Sequence, residues 1–340
     1  MARAVPEQLA EIQRRLLAWF EGHARDLPFR HDRSPYRVLV AEVMLQQTQA
    51  ATVGPYLDRF CARFPTPAAL AAAPLQEVLA QWQGLGYYRR ARYLHAAAVR
   101  IVREHGGSVP CAPADLRRLP GVGPYVAAAV ASFAFGRDEA AVDANARRVL
   151  SRVAGMPDLD DKVARAFVPL GRGPAWNEAV MDLGALICLP RTPRCAHCPL
   201  LGVCRAQASG RAAELPLRRP RRVRPSVPVL LLAIRDASGR FGLERRPETG
   251  LLAGMWGFPT VEGADAGPLA LAADRGLHLR AVEAMEPFRH VFTHRVWEVR
   301  PFTAEGDGPL HWVAPAELQD LPLAGPSVRV LRRLAAGALG

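Results

Sequence analysis

Leu119-Pro120-Gly121-Val122-Gly123-Pro124-Tyr125 is the stretch on which the fold turns. A short helix opening at Asp115 is expected to stop before Pro120. Pro124 suits the first turn of a second helix, expected to run to about Phe135. The two glycines between them let the backbone approach a ligand closely, and the N–H groups that open the second helix can hold a phosphate. Such a turn is common by itself; its weight comes from its surroundings. Downstream lies Val142-Asp143-Ala144-Asn145, where Asp143 is placed to cap a helix over ARRVLSRV. Upstream, Ser34-Pro35 opens a helix expected to continue through Gln49. Within it Glu42 has Val38, Leu39 and Leu45 as helical neighbours. A glutamate among aliphatics is desolvated, which raises its pKa and suits it to donate a proton near neutral pH.

Farther out, the 340 residues suggest two or three domains at roughly 150 residues each. Residues 7–190 read as mainly helical, from apolar spacing and Pro/Gly punctuation, and MARAVPEQLAEIQRRLLAWF reads as an amphipathic helix rather than a signal peptide. The character changes near residue 209. SGRAAELPLRRPRRVRPSVP has neither helical nor strand period and reads as an extended basic linker over 209–225. VPVLLLAI then suits a buried strand, and HRVWEVRPF another, so 226–338 is expected to form a separate α+β domain after a helical domain over 1–208. No apolar run is long enough to span a membrane, which points to an intracellular, cytoplasmic protein. The formal charge of +12 favours a polyanionic partner, most simply nucleic acid. Lys162 is the only lysine, so arginine carries nearly all of the positive charge.

Cys61 and Cys111 stand apart and read as small buried hydrophobes. Cys188, Cys195, Cys198 and Cys204 form a C-x6-C-x2-C-x5-C cluster, able to wrap one metal centre. Zinc usually takes two tight C-x2-C pairs, and only one pair here is tight. The unequal spacing suits a loop around a cubane, with zinc the alternative. Such a centre would be structural, since the protein would fill all four positions. Arg191 and Arg194 inside the loop either reach phosphates or are simply solvated.

The hairpin, with Asp143 after it, resembles the helix-hairpin-helix DNA glycosylase superfamily, and the cysteine spacing resembles its [4Fe–4S] loop, here 188–204. The segment from Glu42 to Gln49 closely resembles the MutY type, the adenine-specific members. The resemblance implies that Glu42 protonates adenine at N7 and that Asp143 faces the sugar of an extruded nucleotide. Bond cleavage builds positive charge on C1′, which a carboxylate stabilises, and negative charge on the base, which an acid relieves. Bifunctional relatives carry a lysine nucleophile where this chain has Tyr125, so the implied activity is base removal alone. Tyr125 is then expected to pack beside Asp143 and orient it, and Asn145 to bond Asp143 or a phosphate. Gln46, Gln47 and Thr48, with Gly121 and Gly123, are implied DNA contacts. Gln47 would fill space in the duplex, and Tyr87 of the GLGYY turn would wedge into the stack. Leu27-Pro28-Phe29-Arg30 resembles an LPW-type pocket segment with Phe for Trp. Arg30 and Glu178, the latter in Asn177-Glu178, would line the adenine pocket. Ala144 stands where the pattern has Gly.

GLLAGMWGFPTVE resembles the Nudix-like (MutT-like) domain of the same family. A Nudix hydrolase needs a glutamate-dense helix for Mg²⁺, but PLALAADRGLHL has one acidic residue, Asp274, so this domain is expected to bind without hydrolysing. Phe292-Thr293-His294 resembles the Phe-Ser-His tip that reads 8-oxoguanine, with His290 a weaker candidate. Together these imply a multi-domain, monomeric glycosylase with a [4Fe–4S] cluster, acting on double-stranded DNA that holds A:8-oxoguanine or A:G mispairs. The rival readings are a bifunctional pyrimidine glycosylase/lyase and a non-catalytic, redox-sensing DNA-binding protein; a nucleotide pyrophosphatase is disfavoured by the missing glutamates.

Overall fold

A computed structural model describes residues 7–217, 223–263 and 267–337. In chain order the helices are α1 (Leu9–His23), α2 (Pro35–Leu45), α3 (Ala50–Arg63), α4 (Pro67–Ala72), α5 (Leu75–Gln81), α6 (Arg89–His105), α7 (Pro113–Leu116), α8 (Pro124–Phe135), α9 (Ala144–Ala154), α10 (Asp161–Ala166), α11 (Gly173–Leu186) and α12 (Arg205–Ala208). Contacts divide the chain into two compact units. Residues 1–72 group with 93–220, and 73–92 group with 221–340.

In the first unit α2 is apolar nearly all round. Val38 through Met44 are all buried, Glu42 among them, so α2 is a core helix. It packs against α8. Pro35 occupies its first turn, but the Ser34 side chain makes no cap. Instead the Ser34 N–H donates to Asp32 Oδ1 at 2.8 Å. The helix ends at Leu45 rather than continuing through Gln49, because Gln47 takes the left-handed conformation at φ 60°. α8 starts from Gly123 with Pro124 in its first turn and stops at left-handed Gly136. α9 starts from Asp143, whose Oδ1 accepts from the Ala146 N–H at 2.6 Å, and stops at left-handed Gly155. A core of Ile12, Leu16, Val149, Trp176, Val180 and Leu183 binds α1, α9 and α11 together.

The stretch read as an extended linker is, through residue 217, fastened to this unit. Leu215 is buried, its carbonyl accepts from Arg152 Nε at 2.8 Å, and the Leu217 N–H donates to the Pro157 carbonyl at 2.9 Å. Only the Leu215 side chain is buried; the Leu217 side chain is exposed and holds on through its backbone N–H. Residues 218–222 of that stretch lie outside the described residues. Cys61 is half-buried but Cys111 is exposed, against expectation, since the segment between α6 and α7 runs over the surface.

The second unit is built on β1 (Ser226–Arg235), β2 (Phe241–Arg245), β3 (Trp256–Gly257), β4 (Thr260–Glu262), β5 (His278–Ala284), β6 (Phe288–Val291), β7 (Val296–Asp307) and β8 (His311–Val313), with α13 (Pro268–Arg275) and α14 (Gly325–Gly337). The sheet runs β3-β2-β1-β7-β5. β1 and β7 pair in parallel over their length, from Ser226 opposite Val296 to Arg235 opposite Glu305. Both faces of β1 are covered. Val229 and Leu231 join one core with Trp297 and Val330, while Leu230 and Leu232 join another with Leu271 and Ala272. This explains the unbroken apolar run VPVLLLAI. Residues 73–92 meet this unit through polar bonds. Gln76 Nε2 donates to the Gly254 carbonyl at 3.2 Å, and Arg92 pairs with Glu248 at 2.9 Å. Among the described residues no helix is long and apolar enough to cross a membrane.

Candidate active site

Glu42 and Asp143 act on one another across the first unit. Glu42 comes from the middle of buried α2, and Asp143 from the start of α9. Burial pushes the Glu42 carboxyl up to about 7. The hydrogen bond from Tyr125 works against this, the negative charges of Asp143 and Glu178 add to it, and Arg30 opposes it. Asp143 is also raised, by burial first. The Ala146 and Asn145 N–H groups and the guanidiniums of Arg148 and Arg25 hold it back. Tyr125, in the first turn of α8, donates its hydroxyl to Glu42 Oε2 at 2.7 Å. Its partner is therefore Glu42 rather than Asp143, because α8 packs directly on α2 and a desolvated carboxyl attracts the nearest donor. Burial, with Glu42 and Asp143 close by, raises the phenol well above its usual range.

A ladder of charge stands beside the pair. Arg30 Nε lies 3.3 Å and Arg33 Nη2 2.8 Å from the same oxygen of Glu178. Both oxygens of Asp182, fully buried one turn after Glu178 on α11, accept from Arg30 at 2.9 Å in a bidentate fork. Asp182 also accepts from the Arg25 N–H at 3.0 Å and Arg25 Nε at 2.7 Å. Sequence reasoning found Arg30 and Glu178 but missed Asp182, Arg25 and Arg33. The signal was the four-residue spacing of Glu178 and Asp182, which places both on one helix face. Asn177 is a latch: it donates to Ser132 Oγ at 2.9 Å and the Glu139 carbonyl at 2.8 Å, and accepts from the Ala141 N–H at 3.1 Å. The Asn145 side chain accepts from Arg148 Nη2 at 2.9 Å, while its backbone N–H serves Asp143. The Ala144 methyl is exposed at the first position of α9, with room for it.

In the hairpin Gly121 has φ 75°, and a Cβ there would lie 2.6 Å from Tyr93 Cβ. Gly123 has an ordinary φ of −83° and open space around it. One glycine is required by the fold, and the other leaves a bare surface at the start of α8. Gln46, Gln47 and Thr48 form the turn after α2, with Gln47 exposed. Tyr87 belongs to the second unit. It is left-handed at φ 49°, 46 % exposed, and has the Arg90 guanidinium 5.5 Å from its ring. In that unit Phe292 is half-buried against His290 at 4.7 Å and Trp297 at 5.1 Å, while Thr293 and His294 are exposed. Phe292 anchors the tip, and the two polar side chains project from it. Asp274 on α13 is exposed and paired with Arg275.

The four clustered cysteines line a single cavity together with Arg152, Leu183 and Leu200. Among the described residues no group of three or more such side chains stands close enough together to hold a metal ion. Four thiols around one cavity are nonetheless the donor type that iron–sulfur clusters and zinc take. Burial pushes the Cys198 thiol up to about 12, with the Leu200 N–H opposing and the other three cysteines adding to it. Arg152 Nη1 approaches Cys188 Sγ at 3.2 Å.

Two families match this architecture. Residues 40–171 match the HhH-GPD superfamily of base excision DNA repair proteins, and residues 230–333 match the NUDIX domain. The chain is 33 % identical to the adenine DNA glycosylase of Homo sapiens over 88 % of its own length and 68 % of that protein. It belongs to the adenine DNA glycosylase family. The relative in Rattus norvegicus is 37 % identical over 74 % of this chain, which spans 60 % of that protein's length. The structure of a thermostable thymine-DNA glycosylase covers 60 % of this chain at 31 % identity with a TM-score of 0.57, and 98 % of that protein is matched. The helical glycosylase fold and the Nudix fold thus share one chain.

Proposed function

We propose that this chain hydrolyses the N-glycosidic bond of adenine mispaired with 8-oxoguanine or guanine in double-stranded DNA, leaving an abasic site. The carrying observation is the pair of carboxyls, buried Glu42 raised to about 7 and half-buried Asp143 within its electrostatic reach. Protonated Glu42 gives its proton to adenine N7. The C1′–N9 bond breaks, its electron pair leaves with the base, and ionised Asp143 stabilises the cation on the sugar. Water adds to C1′, and its proton returns to the Glu42 carboxylate. With Tyr125 at the hairpin and Lys162 the sole lysine, no amine is available there for a Schiff base, and the strand stays intact.

In this reading the chemistry belongs to the helical domain, 1–208, and recognition to 226–338. Thr293 and His294 probe the N7 hydrogen and C8 oxygen of 8-oxoguanine. Gln46, Gln47, Thr48, Tyr87, Gly121 and Gly123 contact DNA, and Glu178 and Arg30 border the adenine. Cys188, Cys195, Cys198 and Cys204 would hold a [4Fe–4S] cluster, which when bound fixes the 188–204 loop and takes no part in the reaction. The protein acts as a monomer inside the cell. Single-turnover excision on A:8-oxoguanine, A:G and A:T duplexes tests the proposal. Free adenine from the first two and none from A:T is expected. A product nicked at the adenine site, or no free adenine, overturns it.

A further inference from the structure

Asp182 accepts four hydrogen bonds from a segment with little regular structure of its own. Residues 24–27 form neither helix nor strand, and Pro28–Arg30 is a single tight turn. Arg25 is bound through its backbone N–H and Nε, and Arg30 through both terminal nitrogens. Arg30 Nη1 also donates to the Arg25 carbonyl at 3.1 Å, tying the two arginines together. The carboxylate doing this has no exposed surface, and its pKa is held below the ordinary range, so it stays ionised: burial opposes, but Arg30 and Arg25 outweigh it. The two arginines then reach different acids, Arg30 reaching Glu178 at 3.3 Å and Glu42 beyond it, and Arg25 reaching Asp143.

We infer that Asp182 is a positioning residue that clamps both guanidiniums, setting Arg30 to face Glu42 and Arg25 to face Asp143. The inference rests on the proposed glycosylase reaction. Glu42 is faced by Tyr125 from α8, Asp143 from the start of α9, Glu178 from α11 and Arg30; Asp143 is faced by Arg148 and Arg25, with Tyr125 and Glu42 near. Arg25 and Arg30, from one irregular segment, are both held by the single carboxylate of Asp182 on α11. Both favour the ionised form of the carboxyl they face, so releasing them raises both carboxyls.

Asp182→Asn makes this testable. The asparagine Nδ2 presents N–H groups to donors that an oxygen now receives, so at least one arginine must leave. The rate of adenine release from an A:8-oxoguanine duplex, followed against pH under single turnover, should keep its bell shape with both limbs moved to higher pH, by roughly one pH unit. Arg25→Met should move the acid limb alone. A removed negative charge with the arginines still in place would move the limbs to lower pH, and that result, or unmoved limbs, overturns the inference. A wild-type protein that releases no adenine defeats the glycosylase reading instead. Should Asp182→Asn fail to fold, Arg25→Met alone decides: an unmoved acid limb sinks the clamp.

Discussion

Burial keeps the Glu42 carboxyl protonated up to about pH 7, while Asp143, also raised, must in the proposed reaction be ionised to steady a cation. Adenine release should therefore fall on both sides of a maximum, and its alkaline limb should lie near pH 7 in a single-turnover profile. Glu42→Gln should lower the rate by roughly 10²–10⁴ or more while sparing binding to the mispair, because only the proton donor is lost. The same residue shapes stability. A carboxyl raised from 4.5 to about 7 on folding gives support that is complete below pH 4.5 and lost as pH rises through 7, roughly 3 kcal/mol in all. Thermal melts of Glu42→Gln should lack that decline, so the variant gains on wild type between pH 5 and 8. Tyr125→Phe removes the donor that favours the ionised form. It should cost about 1–3 kcal/mol in a melt and move the alkaline limb to higher pH. The desolvation of Glu42 was legible from Val38, Leu39 and Leu45, since helical spacing is local. The partner of Tyr125 was not, because α2 and α8 lie far apart in sequence and their meeting is a tertiary fact. Asp182 was overlooked for a related reason: its partners are arginines in an irregular segment that periodicity does not place.

At the level of elements, the hairpin separates two uses of glycine. Gly121→Ala puts a side chain at φ 75° and 2.6 Å from Tyr93, so it should destabilise the helical unit by roughly 1–3 kcal/mol in denaturant unfolding. Gly123→Ala meets an ordinary φ and open space, so unfolding should be unchanged. Its methyl instead covers the N–H groups that open α8, and duplex affinity should fall. Equal affinity for wild type and Gly123→Ala would count against the hairpin as a phosphate site. The sequence reading was accurate for α8, whose proline start and glycine stop are local signals, and overextended α2 by four residues because a left-handed Gln47 leaves no mark in composition. It also missed that Leu215 and Leu217 fasten the Pro/Arg-rich stretch to the helical unit. The hold is made by backbone groups, which carry no signature in residue type, and by the burial of Leu215, while the Leu217 side chain stays exposed.

For the whole molecule, the sequence carries +12 at neutral pH with one lysine, so its field is that of arginines distributed over both units. Arginine pairs with phosphate in a fork and stays charged at any working pH, which makes the charge a constant background to the titrating site. DNA affinity should accordingly fall linearly with salt on a log–log plot, with a slope near −0.9 per phosphate neutralised. Phosphates are the same in matched and mispaired duplexes, so both plots should run parallel. Their vertical separation would be the free energy of reading the bases, carried by the exposed tip at Thr293 and His294. Thr293→Ala with His294→Ala should close that gap for A:8-oxoguanine without changing either slope. If the two variants instead flatten the slope, the tip holds backbone rather than base. If wild-type binding hardly responds to salt at all, the positive charge serves something other than DNA.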